Sequence, residues 1–104
     1  GLNGQSFAFH GYLPIDRAAR AQRIRQLEKA AFQYQQTQLF IETPYRNGAL
    51  LDDLLAHCQP TTLLSIAANL TAEDEFVKTQ SIAAWRGQVP DLHKKPTVFL
   101  LGAP

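Results

Sequence analysis

The chain has 104 residues and a mass of 11.6 kDa, with 45% hydrophobic and 18% charged residues, which is enough for one modest core and too apolar for a disordered segment. A formal net charge of +1 gives no general pull toward nucleic acid or membranes, so such contacts would have to be local. The single cysteine, Cys58, excludes an internal disulfide and suits a reducing, cytoplasmic setting, and no apolar run approaches the roughly 20 residues of a membrane span. The chain begins Gly1-Leu2-Asn3-Gly4 and contains no Met, which reads as one domain cut from a longer protein.

Phe7 to Tyr12 alternates large and small residues as a strand does, and Leu13-Pro14 ends it. Asp16 is placed to cap a helix running to about Tyr34, with Ala18, Ala21, Ile24, Leu27, Ala31 and Tyr34 as its buried stripe. Arg17, Arg20, Arg23, Arg25 and Lys29 lie between them, five of the ten basic residues. Such a run reads either as a solvated helix surface or as a face that contacts phosphates.

After a turn over 35–37, Gln38 to Ile41 enters a core as a strand, and the chain then changes period at Glu42-Thr43-Pro44-Tyr45-Arg46. Thr43 can cap with its hydroxyl, and Pro44 at the first helical position has no N–H to leave unpaired. Strand-end to helix-start junctions are where α/β domains keep ligands. The helix continues with Leu50, Leu51, Leu54 and Leu55 on one face and Asp52 and Asp53 assigned to the other, and stops before Pro60. Cys58 reads as a small buried hydrophobe.

Thr61 to Ala68 is a strand apolar on both faces. An acidic turn over 72–75 leads to a strand from Phe76 to Thr79, Ser81 caps a short helix holding Trp85, and Thr97 to Leu101 is a last core strand. The predicted fold is α/β, a three-layer-like domain with a mixed five-stranded sheet packed by helices. The sheet must be mixed because the link from the third strand to the fourth is too short for a parallel crossover. No phosphate loop, nucleophile elbow or metal-ligand spacing occurs, so no metal site is expected.

Three stretches together resemble the tetrapyrrole methylase family of S-adenosylmethionine-dependent methyltransferases, in its C-terminal domain. They are Phe7-Ala8-Phe9-His10-Gly11-Tyr12-Leu13-Pro14 ahead of a basic helix, Phe40-Ile41-Glu42-Thr43-Pro44-Tyr45-Arg46, and Ala67-Ala68-Asn69-Leu70-Thr71-Ala72 on leaving a core strand. The nearest branch methylates the 2′-oxygen of a cytidine in small-subunit ribosomal RNA. Where it carries charged residues around Leu-Thr, this chain has Ala68, Asn69 and Ala72. It has Tyr45 in place of a His, and Lys95-Pro96 near the last strand.

The resemblance implies the C-terminal domain of a class III methyltransferase. An absent N-terminal domain would supply the other wall of a cleft for S-adenosylmethionine, and the whole protein would form a homodimer. It implies Thr43, Pro44, Tyr45, Asn69, Leu70 and Thr71 at the cofactor. Glu42 is the candidate catalytic group, as proton acceptor or hydrogen-bond partner. Tyr12, Arg17, Arg20, Arg23 and Arg46 are the candidate substrate contacts, for an RNA ribose or for a corrin or porphyrin ring. The competing reading is a non-catalytic domain that docks on RNA or a protein through its basic helix.

Overall fold

A computed structural model describes residues 6–70 and 72–104. The elements in chain order are β1 (Phe7–Tyr12), α1 (Arg17–Tyr34), β2 (Thr37–Ile41), a 3-10 turn (Pro44–Arg46), α2 (Asn47–His57), β3 (Leu63–Ala68), β4 (Phe76–Ser81), α3 (Ile82–Gly87) and β5 (Thr97–Gly102). The strands form one five-stranded sheet in the order β1-β2-β5-β3-β4. β1 and β2 are parallel, joined by the α1 crossover, and β5 inserts antiparallel to both β2 and β3. The short link from β3 to β4 makes an antiparallel pair, so the sheet is mixed, as the sequence requires.

Alternation along the strands assigns the two faces. Phe40, Leu64, Ile66, Phe99 and Leu101 are fully buried under the helices, with Phe40 and Phe99 stacked at 5.9 Å. α2 packs between α1 and α3, and Trp85 of α3 donates its indole N–H to the Leu64 carbonyl at 2.8 Å. The other face carries Phe7, Phe9 and Val77, all exposed, beside half-buried Leu39, Leu63 and Leu100. All three helices therefore lie on one face, and the described residues make two layers. The third layer of the three-layer-like expectation is not among them.

Asp16 caps α1 by accepting from the Ala19 amide at 2.9 Å, and Ser81 caps α3 by accepting from the Ala84 amide at 3.2 Å. The expected stripe of α1 holds at Ala21, Ile24, Leu27 and Ala31, but its ends differ: Ala18 and Tyr34 are exposed, and Arg20 and Glu28 are buried. Cys58 is buried in the core cluster, and desolvation, with Glu28 nearby, pushes its thiol pKa well up, so it stays neutral and packs as a hydrophobe. In β1 the register slips between Phe9 and Tyr12 at a bulge, where Gly11 takes φ 64°. A glycine adopts that left-handed conformation without strain, and the bulge re-aims Tyr12.

Candidate functional site

β2 and β3 run the same way on either side of β5, so their carboxyl ends meet at one edge of the sheet. An open cleft of about 460 Å³ lies there. Ile41, Glu42 and Pro44 form one wall, Ala67, Asn69, Leu70 and Ala72 the other, with Pro96 and Val98 between them. Two segments well separated in sequence, each singled out by its residues, thus face one another.

The second wall is shaped by Asn69, which adopts φ 51°. Asparagine tolerates this region better than most residues. Its amide donates to the Pro96 carbonyl at 2.9 Å, its carbonyl accepts from Ala72 at 3.0 Å, and its side chain donates to Asp74 at 2.9 Å. The charged residues that the resemblance leads one to expect here are replaced by a turn closed on itself. Thr71, expected at the cofactor, lies outside the described residues.

A second hollow of about 430 Å³ opens on the other side of Glu42. Tyr12, Leu13, Pro14, Ile15, Thr43 and Arg46 line it together with Glu42. Glu42 thus stands between the two hollows although its side chain is only 2% exposed. Its Oε1 accepts from the Thr43 amide at 2.7 Å and from Arg46 Nε at 3.3 Å. The carboxylate, and not the Thr43 hydroxyl, satisfies the first free amide: Thr43 makes no side-chain cap, which corrects the expected hydroxyl cap. Pro44 does open the turn, and it is a 3-10 turn before α2 proper begins at Asn47.

Behind Glu42 lies a buried ion network. Arg20 donates to Asp53 Oδ2 through Nε at 2.7 Å and Nη2 at 2.6 Å, and its Nη1 lies 4.0 Å from Glu42 Oε2. Arg20 and Asp53 are both buried, so two placements need correcting. Arg20 does not share an exposed row with Arg17 and Arg23, and Asp53 does not sit on the solvent face of α2. Desolvating either charge alone would be costly, and pairing them across α1 and α2 offsets that cost. The sequence carried a signal for both. Arg20 is four residues before Ile24, and Asp53 lies three after Leu50, which puts each on its helix's apolar stripe.

The remaining candidates scatter. Arg17 has an 86% exposed side chain, 3.8 Å from Asp53. Arg23 is half-buried and its Nη2 donates to His10 Nδ1 at 3.1 Å, while His10 Nε2 lies 2.6 Å from Gln38 Oε1. Tyr45 lines neither hollow; its ring is exposed, edge-on to His93 and 6.0 Å from Lys94 Nζ. Asn47 is a site residue that sequence reasoning missed. It is fully buried and donates to the Leu92 and Lys95 carbonyls and Thr97 Oγ1, which fastens the 92–97 segment to the junction.

No protein-family model matches the sequence, and no curated protein matches it. Solved structures do. The methyltransferase CobJ superposes with a TM-score of 0.56 at 20% identity, over 96% of this chain and 42% of that one. This chain shares its fold with the part of CobJ on which it superposes. A uroporphyrin-III C-methyltransferase from Thermus thermophilus, solved in complex with S-adenosylhomocysteine, superposes with a TM-score of 0.55 at 13% identity, over 98% of this chain and 44% of that one. The fold expected from the resemblance to the tetrapyrrole methylase family is thereby matched in three dimensions. The chain spans less than half the length of either methyltransferase, and at these identities the likeness is one of fold.

Proposed function

We propose that this chain is the C-terminal domain of an S-adenosylmethionine-dependent methyltransferase of the tetrapyrrole methylase type, and that it closes one side of the cofactor cleft. The observation that carries the reading is the convergence of Ile41, Glu42 and Pro44 with Ala67, Asn69, Leu70 and Ala72 on one open cleft, in a chain that covers under half of two methyltransferases of the same fold. The residues present fit such a cofactor. Ile41, Pro44, Ala67, Leu70, Pro96 and Val98 offer apolar walls to a purine, and Glu42 and Asn69 offer polar groups at the rim. S-adenosylmethionine supplies the methyl group, and this domain's residues bind and orient.

An open cleft on one domain cannot surround a ligand, so the cost of ordering it is not offset without the second wall. Calorimetric titration with S-adenosylhomocysteine tests this. The chain alone should bind far more weakly than about −8 kcal/mol, whereas the protein joined to its proposed N-terminal domain should bind. Tight binding by the chain alone contradicts a shared cleft, and no binding by the joined protein contradicts the methyltransferase reading.

The substrate enters from the second hollow, beside Tyr12 and Arg46. The RNA ribose comes first on the motif resemblance, and a corrin or porphyrin ring is its rival. With Arg20 buried, the basic face of α1 has two candidate phosphate contacts, Arg17 and Arg23. Replacing both by Gln should lower the salt slope of ribosomal RNA binding by about 1.5 to 2 units. An unchanged slope returns both arginines to a solvated surface and favours the ring.

A further inference from the structure

Among the described residues, two buried side-chain polar atoms have no hydrogen-bond partner, Glu42 Oε2 and Asn47 Oδ1. Both are acceptors, and both belong to the β2–α2 junction. Buried acceptors in native proteins are nearly always paired, so an unpaired one points to a donor that the chain itself does not supply. Glu42 is the one of the two that lines the hollows, and it lines both.

We propose that Glu42 is the specificity-determining acceptor for a neutral hydroxyl on the cleft ligand, namely a sugar hydroxyl of a nucleoside. This inference rests on the cofactor-cleft reading above. Arg20, held by Asp53, already places its guanidinium 4.0 Å from Oε2, and Arg46 engages Oε1. The carboxylate is therefore supplied with positive charge from both sides, and a further cation such as an ammonium group would meet Arg20 at close range. A hydroxyl adds a donor without adding charge. The cleft walls beside it are almost wholly apolar, which suits a flat, uncharged ring. An apolar ring attached to a hydroxylated sugar is the chemistry of a nucleoside, and carboxylates commonly take the ribose hydroxyls of such ligands.

The donors of the Thr43 amide and of Arg46 also explain why Glu42 can wait for this partner. They hold the carboxylate in place at 2.7 Å on one oxygen and leave the other without a donor. A hydrogen bond to a charged acceptor is among the stronger single contacts, so removing the hydroxyl should be plainly measurable.

The test uses the chain joined to its proposed N-terminal domain, titrated with S-adenosylhomocysteine and with its 2′-deoxy and 3′-deoxy analogues. The wild type should bind one of the deoxy analogues roughly 10-fold or more weakly than the parent compound. Glu42→Gln should bring that ratio close to one while leaving the affinity for that deoxy analogue little changed. A purely structural role for Glu42 would shift all three affinities together and leave the ratio intact. Equal affinities in the wild type, or a ratio that survives Glu42→Gln, overturn the inference while the cofactor-cleft reading stands. Failure of the wild type to bind any of the three overturns both.

Discussion

Glu28 and Glu42 are both buried glutamates on the helix-covered side of the sheet, and they sit at opposite ends of it. Glu28, on α1, reaches the start of β3: its Oε2 accepts from the Gln59 amide at 2.7 Å and from Thr62 Oγ1 at 2.6 Å. This pin joins α1 to the turn that follows α2. Glu42, at the end of β2, is partnered on one oxygen and bare on the other. A hollow of about 420 Å³ lies beside Glu28 as well, lined by Arg25, Lys29 and Phe32, so a hollow alone does not distinguish the two ends. What distinguishes them is satisfaction. A carboxylate with no buried oxygen left unpaired, as in Glu28, serves the fold, and one with a buried oxygen short of a donor, as in Glu42, has capacity for a ligand.

Substitutions at the two ends should separate these roles. The largest loss is expected behind Glu42. Asp53→Asn takes the full charge from the only carboxylate, among the described residues, within hydrogen-bond distance of buried Arg20, and chemical denaturation should show a loss of about 3 kcal/mol. Glu28→Leu should cost nearly as much, about 2 to 3 kcal/mol, because the Gln59 amide and the Thr62 hydroxyl lose their acceptor. Glu42→Gln should be milder, about 1 kcal/mol, since a Gln carbonyl still accepts from Thr43 and Arg20 keeps Asp53. If Glu42→Gln proves as damaging as Glu28→Leu, the contrast between the two glutamates fails. Thr43→Val should fall within about 0.5 kcal/mol of wild type in thermal melts, as no side-chain cap is lost. A loss near 1 kcal/mol there would restore the hydroxyl cap.

Strands, helices and the mixed sheet were legible because each rests on a local pattern. Alternation marked β1, apolar runs marked β3 and β5, and Asp16 and Ser81 capped the helices they were expected to cap. The junction was legible as a place, since a strand ending in Glu42 and a Pro-led helix start announce themselves in sequence. Its wiring was not. Which donor satisfies the Thr43 amide depends on how the Glu42 side chain folds back, and the apparent cap at Thr43 is the commoner solution. Arg20 and Asp53 read as solvated because charged residues are seldom buried; their spacing from Ile24 and Leu50 puts both on apolar stripes, and their mutual contact across α1 and α2 makes that burial tolerable. The single helical layer was equally out of reach: residues on the open face, such as Leu39, Leu63 and Leu100, are as apolar as those under the helices.

The most direct test of the proposed cofactor cleft is amide chemical-shift mapping, with S-adenosylhomocysteine, of the chain joined to its proposed N-terminal domain. Shifts should concentrate over 41–46, 67–72 and at Val98, with the Glu28 end of the domain, 25–32 and 59–61, silent. Shifts confined to that far end, or spread with no preference for the cleft, would contradict the account.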